Sequence, residues 1–294
     1  MSIALGLPKL DGATLPYMNT SPSQLALNSP LRAVGAFGLA ILLSACAHLE
    51  DSGHAVPPHG GKVTYSLAGQ GTPAVVLQSG LGDGRAPWAT VYQALLPRHR
   101  VLALDRPGYG ASPAASGPRD PCQIATETRQ VLQQAGVSPP YLLVGHSLGG
   151  LYQYVFARLY PQDVAGLVLL DPTHPTHWAT VQSAAPASAS LLRAMRATVF
   201  SSTMRAEFDD QASCLDRLDT LPPLQAPTTL LWSTVASEVE GQEFRRALGE
   251  LRKDWASMTR ARNIINVAGS GHYIQRDARR TVVDAIDTAV KLSR

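Results

Sequence analysis

From residue 62 onward, short uninterrupted apolar runs alternate with longer stretches of helical periodicity. The runs at 62–67, 74–78, 100–104, 141–144, 165–170, 228–232 and 263–267 read as strands, and 121–135, 148–160, 241–259 and 278–291 as helices. Strands that are apolar on both faces and separated by helices pack as a mostly parallel sheet with a helical layer on each side, so the expected class is α/β. One interval breaks the rhythm. Residues 173–227 exceed what a crossover needs and contain helical patches such as 191–205, which predicts an insertion folding over the sheet as a lid. The 25 Lys and Arg are balanced by 22 Asp and Glu with no block of like charge, which removes the electrostatic footprint of a nucleic-acid binder.

In an open parallel sheet, sites form where strands end. The strand at 141–144 runs into Gly145-His146-Ser147-Leu148-Gly149-Gly150 and then a helix, which is G-x-S-x-G in the strand-turn-helix setting it requires. So tight a turn exposes the Ser147 hydroxyl at the amino end of a helix, with the Leu148 N–H available to a developing oxyanion. A serine hydroxyl needs a base. Of eight histidines, His272 lies in Gly269-Ser270-Gly271-His272, a glycine-bearing loop after the last strand and on the same rim as Ser147. His146 is adjacent to the serine, cannot readily turn back onto it, and is read as lining or supporting the elbow.

The base in turn needs a carboxylate. Asp171 ends the strand at 165–170, whereas the next strand offers only Glu238 on a longer loop; Asp171 is preferred, with Glu238 the alternative. Ser79-Gly80-Leu81-Gly82-Asp83-Gly84, after the strand at 74–78, allows backbone to approach a substrate, so the Leu81 N–H is assigned as second oxyanion donor beside Leu148. The run from Asp105-Arg106-Pro107 to Ser112 reads as a structural turn with no chemistry. Asp171, His174 and His177 are spaced D-x-x-H-x-x-H, a metal-like pattern, but Pro172 and Pro175 interrupt any regular helix, so no metal and no cofactor is expected. Trp88, Trp178 and Trp232 are candidates for an acyl pocket, with core packing the preferred reading for each.

The amino terminus carries a separate signal. Arg32 precedes an uncharged apolar run at 33–47, shorter than the roughly 20 residues that span a bilayer and suited to the core of a secretory signal. Its end, Leu43-Ser44-Ala45-Cys46, resembles the lipobox of bacterial lipoproteins, in which cleavage before the cysteine leaves that residue to carry the lipid. Residues 1–45 are therefore expected to be a signal peptide, with Met18 an alternative start, and Cys46 a membrane attachment point. Residues 46–61 read as a tether and 62–294 as one domain with its lid at 173–227. The expected location is the bacterial cell envelope. Ala45-Cys46-Ala47 is also an A-x-A site, which leaves a secreted or periplasmic protein open. Cys122 and Cys214 remain as a pair, either bonded in an oxidising compartment or two buried thiols.

The Gly145 to Gly150 elbow, the Ser79 to Gly82 turn, the Asp105 to Ser112 turn and the Gly271-His272 loop together resemble the α/β-hydrolase superfamily, from about Lys62 to the end of the chain. The order Ser, Asp, His agrees with that family. The resemblance implies an α/β-hydrolase fold, Ser147 as nucleophile, His272 as base, an oxyanion hole from Leu81 and Leu148, and a lid at 173–227. Two positions depart from the pattern. Most members place the acid one strand later than Asp171, and many have His where Ser79 stands. A serine nucleophile argues against the epoxide-hydrolase and haloalkane-dehalogenase branches. The expected activity is hydrolysis of a small or lipid-like carboxylic ester through an acyl-enzyme. Acyltransferase, lipase or thioesterase action, or a non-catalytic lipid-anchored binding module, are the alternatives.

Overall fold

The central strand runs are apolar along most of their length and on both faces, a pattern stable only under helices on each side. The computed structural model describes residues 49–58, 60–237 and 240–293. In it, strands β1 (Gly53–Ala55), β2 (Val63–Ala68), β3 (Ala74–Gln78), β4 (Val101–Asp105), β5 (Tyr141–His146), β6 (Val164–Leu170), β7 (Thr228–Ser233) and β8 (Asn263–Val267) form one sheet. Its spatial order is β1-β2-β4-β3-β5-β6-β7-β8. The first two pairs are antiparallel and all the others parallel.

Helices α1 (Ala89–Leu95), α2 (Pro121–Gln134) and α3 (Leu148–Leu159) follow β3, β4 and β5. Four helices fill the interval between β6 and β7: α4 (His177–Ala184), α5 (Pro186–Thr198), α6 (Ser202–Asp210) and α7 (Asp216–Asp219). The chain then forms α8 (Gln242–Thr259), the single turn α9 (Ile274–Asp277) and α10 (Arg279–Leu292). Because side chains alternate along a strand, β3 sends Val75 and Leu77 into a core with α1 and α10, and Val76 into a second core with α2 and α3. Leu143 and Phe156 in the second core are wholly buried, and each such side chain contributes on the order of 1.5–3 kcal/mol. The start of α2 is set locally: Asp120 accepts from the N–H groups of Cys122 and Gln123, both at 3.0 Å, and Pro121 occupies the first turn, where no N–H is needed.

The expected strands and helices are present with ends shifted by a residue or two. Two features differ from expectation. Residues 46–61 do not form a free tether in their described part: Gly53–Ala55 pairs with β2, and Leu49 is buried in the core with α1. A Gly-His-Ala strand has no apolar alternation to announce it. The second is helix α1, formed by Ala-Thr-Val-Tyr-Gln-Ala-Leu, whose seven residues are too few to show a helical apolar period. Cys122 and Cys214 are disulfide-bonded, with Cα atoms 6.2 Å apart, and join α2 to the turn after α6. The expected signal peptide at 1–45, Cys46 and the alternative acid Glu238 lie outside the described residues. Among the described residues no helix is long and apolar enough to cross a membrane.

Candidate active site

Strand β5 leads directly into Ser147, whose φ of 53° and ψ of −125° put a non-glycine residue in a sparsely allowed region. The turn is held from both sides: the Ser147 N–H donates to the Leu170 carbonyl at 2.9 Å, and the Ser147 carbonyl accepts from Gly150 and Thr173, each at 2.9 Å. The flanking glycines are required by space. A Cβ on Gly145 would come within 2.5 Å of the Gly149 carbonyl oxygen, and one on Gly149 within 2.4 Å of the Ser79 carbonyl oxygen. Leu148 begins α3 directly after the serine, and Leu81 follows Gly80, whose backbone lies against the Ser147 side chain.

Asp171 closes β6 and also has a positive φ, 41°. Its N–H donates to the Leu231 carbonyl at 2.9 Å, so the residue is fixed between β6 and β7. One carboxylate oxygen accepts from the Ser233 N–H and from Arg252 of α8, each at 3.1 Å; the other stands 3.4 Å from His272 Nδ1. Burial alone would raise this carboxyl. The hydrogen bonds from His272 and Ser233 and the charge of Arg252 outweigh it and hold the group below its ordinary range.

The loop bearing His272 is anchored at several points. The Ser270 carbonyl accepts from Thr234 and Val235, and the Gly271 N–H donates to Asp277 at 2.9 Å. The Tyr273 hydroxyl donates to Asp83 at 2.9 Å, tying this loop to the one that holds Leu81; burial and then Asp83 push that phenol up to about 12. His146, expected to line or support the elbow, ties it to the His272 loop by donating Nε2–H to the His272 carbonyl at 2.8 Å. Burial, reinforced by nearby His272, pulls the His146 ring down to about 3, so it is neutral.

Ser147, His272 and Asp171 line one cleft of about 210 Å³. Its far wall comes from α8, through Phe244, Leu248, Leu251 and Trp255, with Trp232 from β7. The positions on α8 recur at helical spacing and announce a buried face, but the same face both covers the sheet and walls the cleft, and spacing alone does not separate the two roles. Of the three tryptophans named as pocket candidates, Trp232 lines the cleft, Trp88 is in the core, and Trp178 packs on Phe208. His174 and His177 also line the cleft. The nitrogens of His174 are taken by Thr176, whose N–H donates to Nδ1 at 3.1 Å, and by Asp254, 3.1 Å from Nε2. The oxygens of Asp171 are likewise engaged, so the D-x-x-H-x-x-H spacing does not converge on a common ligand position.

A mostly parallel sheet with a serine on a strained strand-to-helix turn, beside a histidine–aspartate contact, defines a protein of the α/β-hydrolase class. Residues 73–275 match the family described as alpha/beta hydrolase fold, and the chain belongs to that family. Its structure is similar to that of an α/β hydrolase fold protein from Burkholderia ambifaria, with 21% identity and a TM-score of 0.59 over 81% of this chain and 97% of that one. It is also similar to a thermophilic esterase from Thermogutta terrifontis, with 19% identity and a TM-score of 0.58 over 83% and 97%. In sequence, 136 residues are 28% identical to YbdG of Bacillus subtilis, covering 46% of this chain and 42% of that protein. The chain thus spans about two-fifths of the length of the curated relatives it matches.

Proposed function

We propose that the protein is a serine hydrolase acting on a carboxylic ester. The observation that carries this reading is the 3.4 Å contact between His272 Nδ1 and Asp171 Oδ2 in the cleft that holds Ser147. With Nδ1–H directed at the carboxylate, Nε2 is left as the basic nitrogen, the tautomer a general base requires. Ser147 loses its proton to His272 as Oγ attacks the carbonyl carbon. The N–H groups of Leu81 and Leu148 receive the oxyanion, and His272 returns the proton to the leaving alcohol. Water then attacks the acyl-enzyme by the same route. A cleft with aromatic walls and a volume of about 210 Å³ suits a compact apolar acyl group. A fluorophosphonate probe tests the reading: labelling of the wild type, lost in Ser147→Ala, supports it, and an unlabelled wild type overturns it.

The same proposal extends to the amino terminus. Residues 1–45 are a secretory signal, Cys46 carries lipid after cleavage, and the protein is held at the bacterial cell envelope with the helices of 173–227 as its lid. Leu49, three residues after Cys46, is buried in the domain. Incorporation of a fatty-acid analogue that is lost in Cys46→Ser supports the anchor, and incorporation that survives the substitution refutes it.

A further inference from the structure

The turn after β4 reads as merely structural in sequence, yet its Arg106 reaches the loop proposed to hold the oxyanion. The guanidinium is 2% exposed. Its Nη1 donates to the Ser79 carbonyl at 2.6 Å and Nη2 to the Gly80 carbonyl at 2.8 Å. On its other side Nε and Nη2 donate to the two carboxylate oxygens of Glu207, at 2.9 and 3.0 Å, and the Tyr109 hydroxyl donates to the same carboxylate at 2.9 Å. The rings of Tyr109 and Tyr152 pack over the guanidinium. Glu207 belongs to α6, within the insertion, and has no exposed surface. Thr203 and Met204, on the same helix, lie against Gly108 and Gly82.

In a trans peptide the C=O and the following N–H point in opposite directions. Holding the Gly80 carbonyl on Arg106 therefore turns the Leu81 N–H away from Arg106, with Gly80 itself seated against Ser147. Arg106 is a planar fork whose direction is set by the carboxylate that grips its other edge. We infer that Glu207 and Arg106 are positioning residues for the oxyanion hole, so that the insertion completes the catalytic site besides covering it. The inference rests on the acyl-transfer reading of Ser147.

Glu207→Gln keeps the shape and removes the charge that orients the fork. Sulfur accepts hydrogen bonds more weakly than oxygen, so an intact oxyanion hole favours an ester over its thionoester. The experiment measures kcat/KM for a matched ester and thionoester pair. That ratio does not depend on how much of the sample is folded. In Glu207→Gln the ester kcat is expected to fall about 10- to 100-fold, with KM little changed and the ester preference reduced by about 10-fold. Tyr109→Phe, which removes one hydrogen bond to Glu207, moves the preference the same way by less and serves if the first variant does not fold. A wild type that phosphonate does not label removes the acyl-transfer reading and this inference with it. A labelled, active wild type whose ester preference is unchanged in the variants overturns this inference alone.

Discussion

His146 donates its Nε2–H to the backbone carbonyl of His272 at 2.8 Å, linking two residues 126 apart in sequence. The two rings also lie against each other, tilted by 50°, with centroids 4.6 Å apart. Since the hydrogen bond goes to the main chain, His146 fixes where the His272 loop sits without using the ring of His272. His146→Leu is expected to lower kcat about 10- to 100-fold through misplacement of the base. His146→Gln, which retains a donor, should lose less. Initial rates on a chromogenic ester check this, and equal kcat in His146→Leu and wild type would show that the contact does not position the base.

The same residue makes the fold acid-sensitive. The His146 ring is pulled from its ordinary 6.5 down to about 3, chiefly by burial, and His177 to about 4 by burial and then by the charges of His174 and His272. In the unfolded chain both titrate near their ordinary value, so below that pH the unfolded state binds protons that the folded state refuses. Stability from these groups is complete above about pH 6.5 and is lost as pH falls, at about 1.4 kcal/mol per pH unit for the buried His146. Urea unfolding at pH 7, 5 and 4 is expected to show this decline, with a shallower slope in His177→Phe. An equal slope in that variant would remove His177 from the explanation.

The parallel core was legible because Val75 to Leu77, Leu142 to Val144 and Leu167 to Leu170 are apolar without interruption, and no other common arrangement buries both faces of such strands. That Ser147, His272 and Asp171 share one rim was legible because each follows the carboxyl end of a strand, His272 on the loop after β8. Residues whose meaning depends on a distant partner were not. Arg106 looks like part of a turn until Glu207, 101 residues away, is brought against it. Arg252 looks like a solvated helix position until Asp171 is 3.1 Å from it. β1 escaped notice for a different reason: its pairing with β2 uses backbone groups alone, and Gly-His-Ala carries no side-chain pattern.

Arg252 gives Asp171 a support drawn from α8. Its guanidinium also donates to the Ser233 carbonyl at 3.1 Å and packs over Trp232, so it braces the end of β7 as well as the carboxylate. Asp171→Asn should lower kcat about 10³- to 10⁴-fold, because an amide cannot stabilise the imidazolium. Arg252→Met should have a smaller effect, about 10-fold, because Asp171 keeps the Ser233 N–H and His272. Initial rates of wild type, Arg252→Met and Asp171→Asn on one chromogenic ester test this order, and an Arg252→Met kcat equal to that of wild type, or as low as that of Asp171→Asn, would count against it.

The Cys122–Cys214 bond spans 92 residues and pins the turn after α6 to the first turn of α2. The neighbouring contact is polar, with the Arg119 N–H donating to Asp210 at 3.1 Å, and Arg119 itself forms a buried pair with Glu127. The disulfide therefore holds the insertion in register with the helical layer that carries it. The double variant Cys122→Ser/Cys214→Ser should be less stable by about 2–5 kcal/mol, because its unfolded chain regains the freedom that the cross-link removes. For a domain of this size that corresponds to a Tm lower by roughly 5–15 °C. Wild-type protein treated with a reductant should fall to the same Tm, whereas the double variant should not respond to the reductant. A wild-type Tm indifferent to reduction, with free thiols confirmed by titration, would show that the cross-link adds nothing to the stability of the fold.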